Sequence, residues 1–342
     1  MTGPDPSVAL VRAAVRSSVA DLPPGALVLV ACSGGADSLA LAACTAFVAP
    51  RAGLRMGAVI VDHGLQPGSS EVAERVRSQL LDLGLDPVVV ETVRVGTSGG
   101  PEAAARAARH GALSAVAERL GASAVLLAHT LDDQAETVLL GLARGSGARS
   151  LSGMALRSGV LRRPLLDVRR VQTHSVCEVL GLTPWADPHN DDPRFARVRV
   201  RHEVLPTLER CLGPGVAAAL ARSARLLRDD ADALDDWAGR VVDAVPEGVQ
   251  LDVAALVELP RAVRARVLRM AATGVGSGPL EASHVTALEA LVSDWHGQGP
   301  VALPGGGSAS RSCGRLHLRP PDPPSPEPQE HRRTRQESVR GR

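Results

Sequence analysis

The residues best suited to chemistry stand in one short segment, Cys32-Ser33-Gly34-Gly35-Ala36-Asp37-Ser38. An apolar run over 26–31 precedes it and a helical pattern over 39–48 follows it, so the glycines lie at a turn from a strand into a helix. Such a turn directs backbone N–H groups and the positive end of the helix dipole into one concavity that binds phosphate. The sequence therefore predicts a phosphate site formed by Ser33, Gly34, Gly35, Ala36, Asp37 and Ser38. A glycine-rich turn without a ligand is the alternative.

The 38 basic residues are all arginine, and the chain contains no lysine. A Walker A loop needs a lysine beside its phosphates, and Schiff-base catalysis needs a lysine amine. Both kinds of site are therefore excluded.

A second group of chemically active residues lies in the segment 129–136, His-Thr-Leu-Asp-Asp-Gln-Ala-Glu. A helical pattern over 132–143 puts Asp132 and Asp133 in its first turn, and Asp132 and Glu136 on one face. Each acid alone is explained by the helix dipole and by the N-cap preference of aspartate. Together with His129 at the end of a predicted strand, they favour a site for Mg²⁺ or for a cationic substrate.

Two weaker patterns accompany these groups. Glu102, Arg106 and Arg109 share one stripe of a predicted helix, where an ordinary i,i+4 ion pair is the alternative interpretation. Asp62 and His63 follow another apolar run and precede a glycine. Both patterns add candidate polar groups for the same site.

Strand-like and helix-like patterns alternate through the first part of the chain. The predicted strands are 26–32, 56–62, 87–95 and 122–128, and the predicted helices are 39–48, 70–83, 102–120 and 132–143. This alternation is typical of an α/β fold with a doubly wound parallel sheet, which binds ligands beyond the carboxyl ends of its strands. Segments 33–38, 62–64 and 129–136 each follow such an end, so we expect them to meet.

The second part of the chain has a different pattern. Helical periodicity covers 216–237, 260–272 and 281–295, and short strands are predicted at 301–303 and 315–318. We therefore predict a catalytic domain over 1–215 and a smaller, mainly helical domain over 216–318. Residues 319–342 are rich in proline and charge, which predicts a disordered tail.

The net charge of +1 hides a basic block over 144–228, which has 15 arginines against 7 acidic residues. Such a block suggests a surface that contacts a polyanion, and local pairing of the arginines is the alternative. Only five aromatic residues exist, so guanidinium planes would supply much of any contact with bases.

The five cysteines are scattered without a C-x-x-C motif, which indicates neither a disulfide framework nor a zinc ribbon. The amino terminus lacks the pattern of an export signal, and the longest apolar runs are strand-sized. We therefore expect a cytoplasmic protein without a membrane span. A homodimer is compatible with the sequence, which leaves the oligomeric state open.

Several blocks together resemble one family. SGGADS is similar to the pyrophosphate loop of the N-type ATP pyrophosphatases (the adenine nucleotide alpha-hydrolase-like fold). With VDHGL, PEAAARAARH, AHTLDDQAET, LARGSGARSLSGM, RRPLLDVRR and WADPHNDDPRFARVRVRHEVLP, it occurs in the order typical of the tRNA(Ile)-lysidine synthetase family. The resemblance covers about residues 24–318.

The resemblance implies a ligation that uses ATP, Mg²⁺, L-lysine and tRNA(Ile) with a CAU anticodon. The 2-oxo group of the wobble cytidine would attack the α-phosphorus of ATP, and the ε-amine of lysine would then displace AMP. Implied nucleotide-binding residues are Ser33, Gly34, Gly35, Ala36, Asp37, Ser38, Asp62 and His63, with Asp37 also at the metal. Implied catalytic residues are Asp37, Asp133, Arg106, Arg109 and Arg201, with Asp133 as the candidate base. Implied substrate contacts are Asp132, Glu136, Arg197 and Arg199.

Rival functions stay open from the sequence alone. A sulfur-inserting tRNA enzyme of the same superfamily would be expected to use paired cysteines or an iron–sulfur site, and this chain has no cysteine pair. A nucleotide-binding module without chemistry would not explain the acidic cluster and the basic block together. An amidotransferase-type synthetase would need room for a glutaminase domain.

Overall fold

The computed structural model describes residues 3–320 apart from 63, 65–67, 94–100 and 244–249. Contacts between Cα atoms divide the chain into two compact units, Met1–Ala231 and Asp232–Arg342. The predicted boundary at 215/216 falls at the start of a long helix that continues past residue 231, and it stays a prediction. Arg319, where the predicted disordered tail begins, is instead the last residue of a strand, and the tail from residue 321 onward lies outside the described residues.

The described part of the first unit contains a six-stranded sheet with the order β3-β2-β1-β4-β6-β5. Neighbouring strands are parallel except β5, which pairs antiparallel with β6 at one edge. The strand order reverses between β1 and β4, and this switch point is where doubly wound sheets bind ligands. The predicted fold class is therefore confirmed. The strands are β1 (Leu27–Ala31), β2 (Arg55–Asp62), β3 (Val88–Thr92), β4 (Ala122–Leu126), β5 (Arg157–Ser158) and β6 (Leu161–Arg162).

Helices connect and cover these strands. They are α1 (Pro6–Val19), α2 (Ala36–Arg51), α3 (Ser69–Asp82), α4 (Pro101–Leu120), α5 (Leu131–Ala143), α6 (Ala148–Leu151), α7 (Arg170–Val179), α8 (Ala196–Arg199), α9 (Leu205–Leu212) and α10 (Val216–Asp243). A 3-10 turn at Pro188–Asp191 and a π-helical turn at Val200–Val204 complete the described backbone of this part.

The central strand β1 is buried on both faces. Val28 and Val30 pack into the core under α1 and α2, whereas Leu27 and Leu29 pack into a second core under α4. Both faces therefore need apolar side chains, which explains why β1 is a continuous apolar run.

Helix α1 was not predicted from the sequence. The side chain of Asp5 caps it by accepting the N–H of Ser7 at 2.8 Å, and Pro6 occupies its first position. The capping aspartate and the first-turn proline are the sequence signals that could have revealed this helix.

The second unit begins within α10 and continues through β7 (Gln250–Asp252), α11 (Val253–Val257), α12 (Arg261–Gly274), α13 (Ala282–Ser293), β8 (Val301–Ala302), β9 (Ser308–Ser312) and β10 (Arg315–Arg319). It is mainly helical, as predicted, and its described part also has an antiparallel sheet with the order β7-β10-β9-β8. Strand β9 was missed because its sequence, Ser-Ala-Ser-Arg-Ser, has little of the β-branched and aromatic character that marks strands.

No helix among the described residues is both long enough and apolar enough to cross a lipid bilayer.

Candidate active site

The phosphate loop connects β1 to α2 and holds two glycines for different reasons. Gly34 has φ of +85°, and a Cβ there would collide with Cγ2 of Val76 on α3. Gly35 is the N-cap of α2 in an extended conformation, and a Cβ there would meet only Oγ of Ser33, at 3.8 Å. Packing therefore requires glycine at Gly34, whereas open space lies beside Gly35.

Ser38 fixes the shape of this loop from inside. Its hydroxyl donates to the carbonyl oxygen of Gly35 at 2.9 Å and accepts the N–H of Ser33 at 3.2 Å. The carbonyl of Gly34 accepts the N–H of Trp185 at 2.9 Å. Gly35 offers no side chain to cap α2, so the first turn of this helix presents its N–H groups at the end of β1.

Helix α5 begins at the end of β4 with a reciprocal capping box. Thr130 accepts the N–H of Asp133 at 3.3 Å, while Oδ2 of Asp133 accepts the backbone N–H of Thr130 at 2.8 Å. The same Oδ2 also accepts the hydroxyl of Thr130 at 2.9 Å. One oxygen of Asp133 is therefore committed to holding the helix start.

Arg170, the first residue of α7, joins the phosphate loop to α5. Its Nη2 lies 2.8 Å from Oδ1 of Asp133 and 3.3 Å from Oε1 of Glu136, and its Nε lies 3.6 Å from Oδ2 of Asp37. Its backbone N–H donates to Oδ2 of Asp132 at 2.7 Å. Thr173, one turn later, donates its hydroxyl to Oδ1 of Asp37. Four of the predicted acids, Asp37, Asp132, Asp133 and Glu136, are thus gathered around one arginine.

Glu136 is fully buried at the centre of this cluster. Its Oε1 accepts Nε of Arg201 at 2.8 Å, and its Oε2 accepts Nε of Arg197 at 2.9 Å. Nη2 of Arg201 also lies 3.6 Å from Oδ1 of Asp133. Three carboxylates, Asp37, Asp133 and Glu136, therefore face three guanidinium groups, those of Arg170, Arg197 and Arg201.

The environments of Asp37 and Asp133 move their pKa values in opposite directions. Burial raises the pKa of Asp37, and the opposing hydrogen bond from Thr173 and charge of Arg170 do not overcome it. Burial also acts to raise the pKa of Asp133, but the charge of Arg170 and the Thr130 N–H outweigh it, so this pKa is lowered. Asp133 is therefore suited to hold a cation and is a weak proton acceptor.

A second region, rich in arginine, lies at the ends of β4 and β6. His129 follows β4, and its Nδ1 is buried without a hydrogen-bond partner among the described residues. Burial lowers the pKa of His129 to about 3 against the opposing charge of Asp133, with smaller contributions from Arg163 and Arg106. Nε of the buried Arg163 likewise has no described partner. His129 is thus neutral near pH 7 and lies among arginines.

The other predicted residues within the described chain lie on β2, α4 and α8. Arg106 and Arg109 lie at exposed positions on α4, and the charge of Arg106 reaches His129. Asp62 ends β2 and accepts the N–H of Gly64 at 2.9 Å, whereas His63 lies outside the described residues. Arg199 is exposed and donates to the carbonyl oxygens of Pro193 and Arg194, so it does not join the acidic cluster.

Sequence reasoning missed Arg170 and Thr173. Their partners are far away along the chain, so no local pattern connects them. One signal was available, because Arg169 and Arg170 stand at the start of a helix, where the dipole disfavours cations. Arginines at such a position indicate acidic partners elsewhere in the fold.

The described residues include no group of three or more histidines, cysteines or acids arranged to hold a metal ion. Mg²⁺ commonly uses only one or two carboxylates together with substrate phosphates. Asp37, beside the phosphate loop, is compatible with such a minimal site.

Both parts of the chain match families of known proteins. A family model described as a PP-loop domain matches residues 11–208, and a model described as the TilS substrate binding domain matches residues 251–317. A U34-tRNA thiolase from Methanococcus maripaludis has a similar fold, with a TM-score of 0.55 at 18% identity over 65% of this chain and 80% of that one.

Curated relatives are much more similar. The tRNA(Ile)-lysidine synthase of Thermobifida fusca is 59% identical over 92% of this chain and 98% of its own length. Those of Leifsonia xyli and Streptomyces coelicolor are 57% and 52% identical, over 83% and 93% of this chain and 87% and 99% of their own lengths. The chain belongs to the tRNA(Ile)-lysidine synthase family.

Proposed function

We propose that this protein ligates L-lysine to C2 of the wobble cytidine of tRNA(Ile) with a CAU anticodon. The enzyme is an ATP-dependent ligase that forms a carbon–nitrogen bond and produces lysidine, AMP and diphosphate. One observation carries this conclusion: the identity of 59% to a tRNA(Ile)-lysidine synthase extends over nearly the full length of both chains. The sulfur-inserting alternative has the support of a shared fold at 18% identity, far below the identity to the lysidine synthases.

In the first half-reaction, the cytidine 2-oxo group attacks the α-phosphorus of ATP and pyrophosphate leaves. The N–H groups at the start of α2 and the open space beside Gly35 suit the departing phosphates. Asp37 would hold Mg²⁺, which neutralises phosphate charge when it is bound. Ser38 keeps the loop in shape through its bonds to Gly35 and Ser33.

In the second half-reaction, the lysine ε-amine forms a bond to C2 while the bond from C2 to the AMP oxygen breaks. Free lysine is cationic near neutrality because its amine has a pKa of about 10.4. Asp133 and Glu136 are the carboxylates suited to bind and orient this cation. We assign Asp133 the role of binding the lysine ammonium rather than of accepting its proton, because its lowered pKa makes it a weak base.

The arginines divide between three tasks. Arg201 and Arg197 hold Glu136 and therefore the acidic cluster. Arg106 and Arg109 on α4, with the charge of Arg106 reaching His129, are suited to neutralise phosphate at the end of β4. Arg199 and other exposed arginines of the 144–228 block are suited to the tRNA backbone. We expect the enzyme to act in the cytoplasm, where its tRNA substrate is found, and homodimer formation stays a prediction.

The direct test incubates the protein with ATP, labelled lysine and tRNA(Ile) carrying CAU, and measures label retained on the tRNA. The same tRNA with uridine at the wobble position is the matched control, since it lacks the cytidine. We expect label only with the cytidine and only with ATP. Absence of label from the CAU tRNA, with the protein folded and ATP present, would contradict the proposed function.

A further inference from the structure

Two consecutive buried arginines at the end of β6 have different partners. The guanidinium of Arg162 lies 2.6 Å from Oδ1 of Asp21, so an acid compensates its charge. Among the described residues, the guanidinium of Arg163 donates only from Nη1, to the carbonyl oxygen of Ala155 at 2.9 Å, and its buried Nε has no partner. Arg163 is 5% exposed. The fold therefore buries most of this guanidinium with a single hydrogen bond to a neutral group.

The charges that act on Arg163 have the same sign as its own. Burial lowers the pKa of Arg163, and the charges of Arg106 on α4 and Arg228 on α10 lower it further. Burial lowers the pKa of His129 as well, and Arg163 and Arg106 add to this effect against the opposing charge of Asp133. Bringing like charges together in a buried place costs free energy, so the arrangement indicates a ligand of negative charge.

This group of arginines lies to one side of the phosphate loop. Strand β4 is adjacent to β1, and β6 is adjacent to β4. Residues that follow β6 are therefore two strands away from the loop that follows β1, or about 10 Å at the usual strand spacing. Burial raises the pKa of Asp37 beside that loop, and the charges that act on it most are those of Arg170, Asp133 and His174. The nucleotide loop and Arg163 thus have different charged neighbours.

We propose that Arg163, supported by the charges of Arg106 and Arg228, binds a phosphodiester group of the tRNA strand beside the wobble cytidine. This inference rests on the proposed function, which requires a ribonucleotide strand to reach this edge of the sheet. The triphosphate of ATP has its own place at the start of α2, so the diester is the anion that remains. A guanidinium fork can donate two parallel hydrogen bonds to its oxygens.

The test compares Arg163→Gln with Arg162→Gln, because the two arginines are adjacent and both are buried. Binding of tRNA(Ile) carrying CAU is measured by filter binding over a salt series, and binding of ATP by calorimetric titration. In Arg163→Gln the slope of log affinity against log salt should fall by about 0.7–0.9, since one phosphate contact is lost. Its ATP affinity should be unchanged. Arg162→Gln should leave both quantities as they are in the unaltered protein.

Melting temperatures separate a ligand contact from a structural role. Arg162→Gln removes the partner of Asp21 and should lower the melting temperature. Arg163→Gln removes a charge that only like charges surround, and its amide can still donate to the carbonyl of Ala155. The melting temperature of Arg163→Gln should therefore equal or exceed that of the unaltered protein, as expected where a binding residue is held at a cost in stability.

Three results overturn the proposal. The first is an unchanged salt slope in Arg163→Gln, and the second is a loss of ATP binding, which would assign the phosphate to the nucleotide. The third is a melting temperature lowered as far as in Arg162→Gln, because the folded chain itself would then need the arginine. Lysine transfer to the CAU tRNA by the unaltered protein is assayed in parallel. Absence of transfer, with tRNA bound and the salt slope dependent on Arg163, would overturn the proposed function instead.

Discussion

The adjacent glycines of the phosphate loop provide the simplest test of the nucleotide site. Gly35→Val adds a side chain into open space at an extended position, so the protein should fold with a melting temperature within about 2 °C of the unaltered protein. ATP binding should be lost, because the added methyl groups occupy the expected place of phosphate. Calorimetric titration with ATP measures this effect, and unchanged binding would contradict the assignment.

Gly34→Ala is the matched comparison. Its Cβ would meet Val76 at a backbone φ of +85°, so we expect this variant to lose about 1–3 kcal/mol of folding free energy. A loss of stability at Gly34 with a loss of binding at Gly35 would separate packing from ligand contact.

A substitution at Asp133 should affect the two half-reactions differently. Asp133→Asn keeps an oxygen for the helix cap but removes the charge that pairs with a cation. We expect adenylation of tRNA to persist and lysine incorporation to collapse, because adenylation consumes no amine. Pyrophosphate release without lysine and labelled lysine on tRNA measure the two steps. If both fall equally, Asp133 belongs to the ATP site.

His129 should make stability depend on pH. Its folded-state pKa of about 3 lies below the ordinary value of about 6.5, so between these values the unfolded chain binds a proton that the folded chain does not. Stability should therefore be full above about pH 6.5 and fall as the pH decreases, by up to about 1.4 kcal/mol per pH unit. Urea unfolding of the unaltered protein and of His129→Gln measures this slope. Equal slopes would show that His129 titrates normally.

The side chain of Gln134 on α5 forms a pair of hydrogen bonds with the backbone of Met154, as a neighbouring strand would. The amide of Gln134 donates to the carbonyl of Met154 at 3.0 Å and accepts its N–H at 2.7 Å. Gln134→Met keeps the volume but leaves two buried backbone groups unpaired, which should lower the folding free energy by about 2–4 kcal/mol. Thermal unfolding measures the loss. A change below about 0.5 kcal/mol would mean that water replaces the amide.

Local patterns predicted most elements of the first unit, because a parallel strand buried on both faces must be apolar throughout. The helix predicted to start at Asp132 from its acidic first turn begins one residue earlier, at Leu131. It was harder to predict which side chains meet in the site, since Arg170 contacts acids that follow two different strands. Only the order of strands in the sheet decides which strand ends become neighbours, and no periodicity encodes that order.

The basic block of the chain is largely used inside the protein. Arg162 pairs with Asp21, Arg170 and Arg201 pair with Glu136, and Arg228 donates to the carbonyls of Ser152 and Gly153. Pairing between residues far apart in the sequence therefore accounts for these arginines, rather than the local pairing considered from the sequence. Attraction to a polyanion must come from other arginines instead.

Arg199 is such an arginine, because its guanidinium contacts only backbone carbonyls within the described chain. If it binds a tRNA phosphate, Arg199→Gln should reduce the slope of log affinity against log salt by about 0.7–0.9. Filter binding over a salt series measures the slope. The guanidinium of Arg157 is already paired with Asp21, so Arg157→Gln should leave the slope unchanged. Equal slopes for both variants would remove Arg199 from the tRNA surface.

The guanidinium groups around Glu136 also bear on side reactions. An adenylated cytidine is an electrophile that any nearby neutral amine would attack. Arginine keeps its proton under all physiological conditions and is a poor nucleophile, and the chain has no lysine side chain. No lysine amine of the enzyme can therefore compete with the substrate's amine for the activated tRNA.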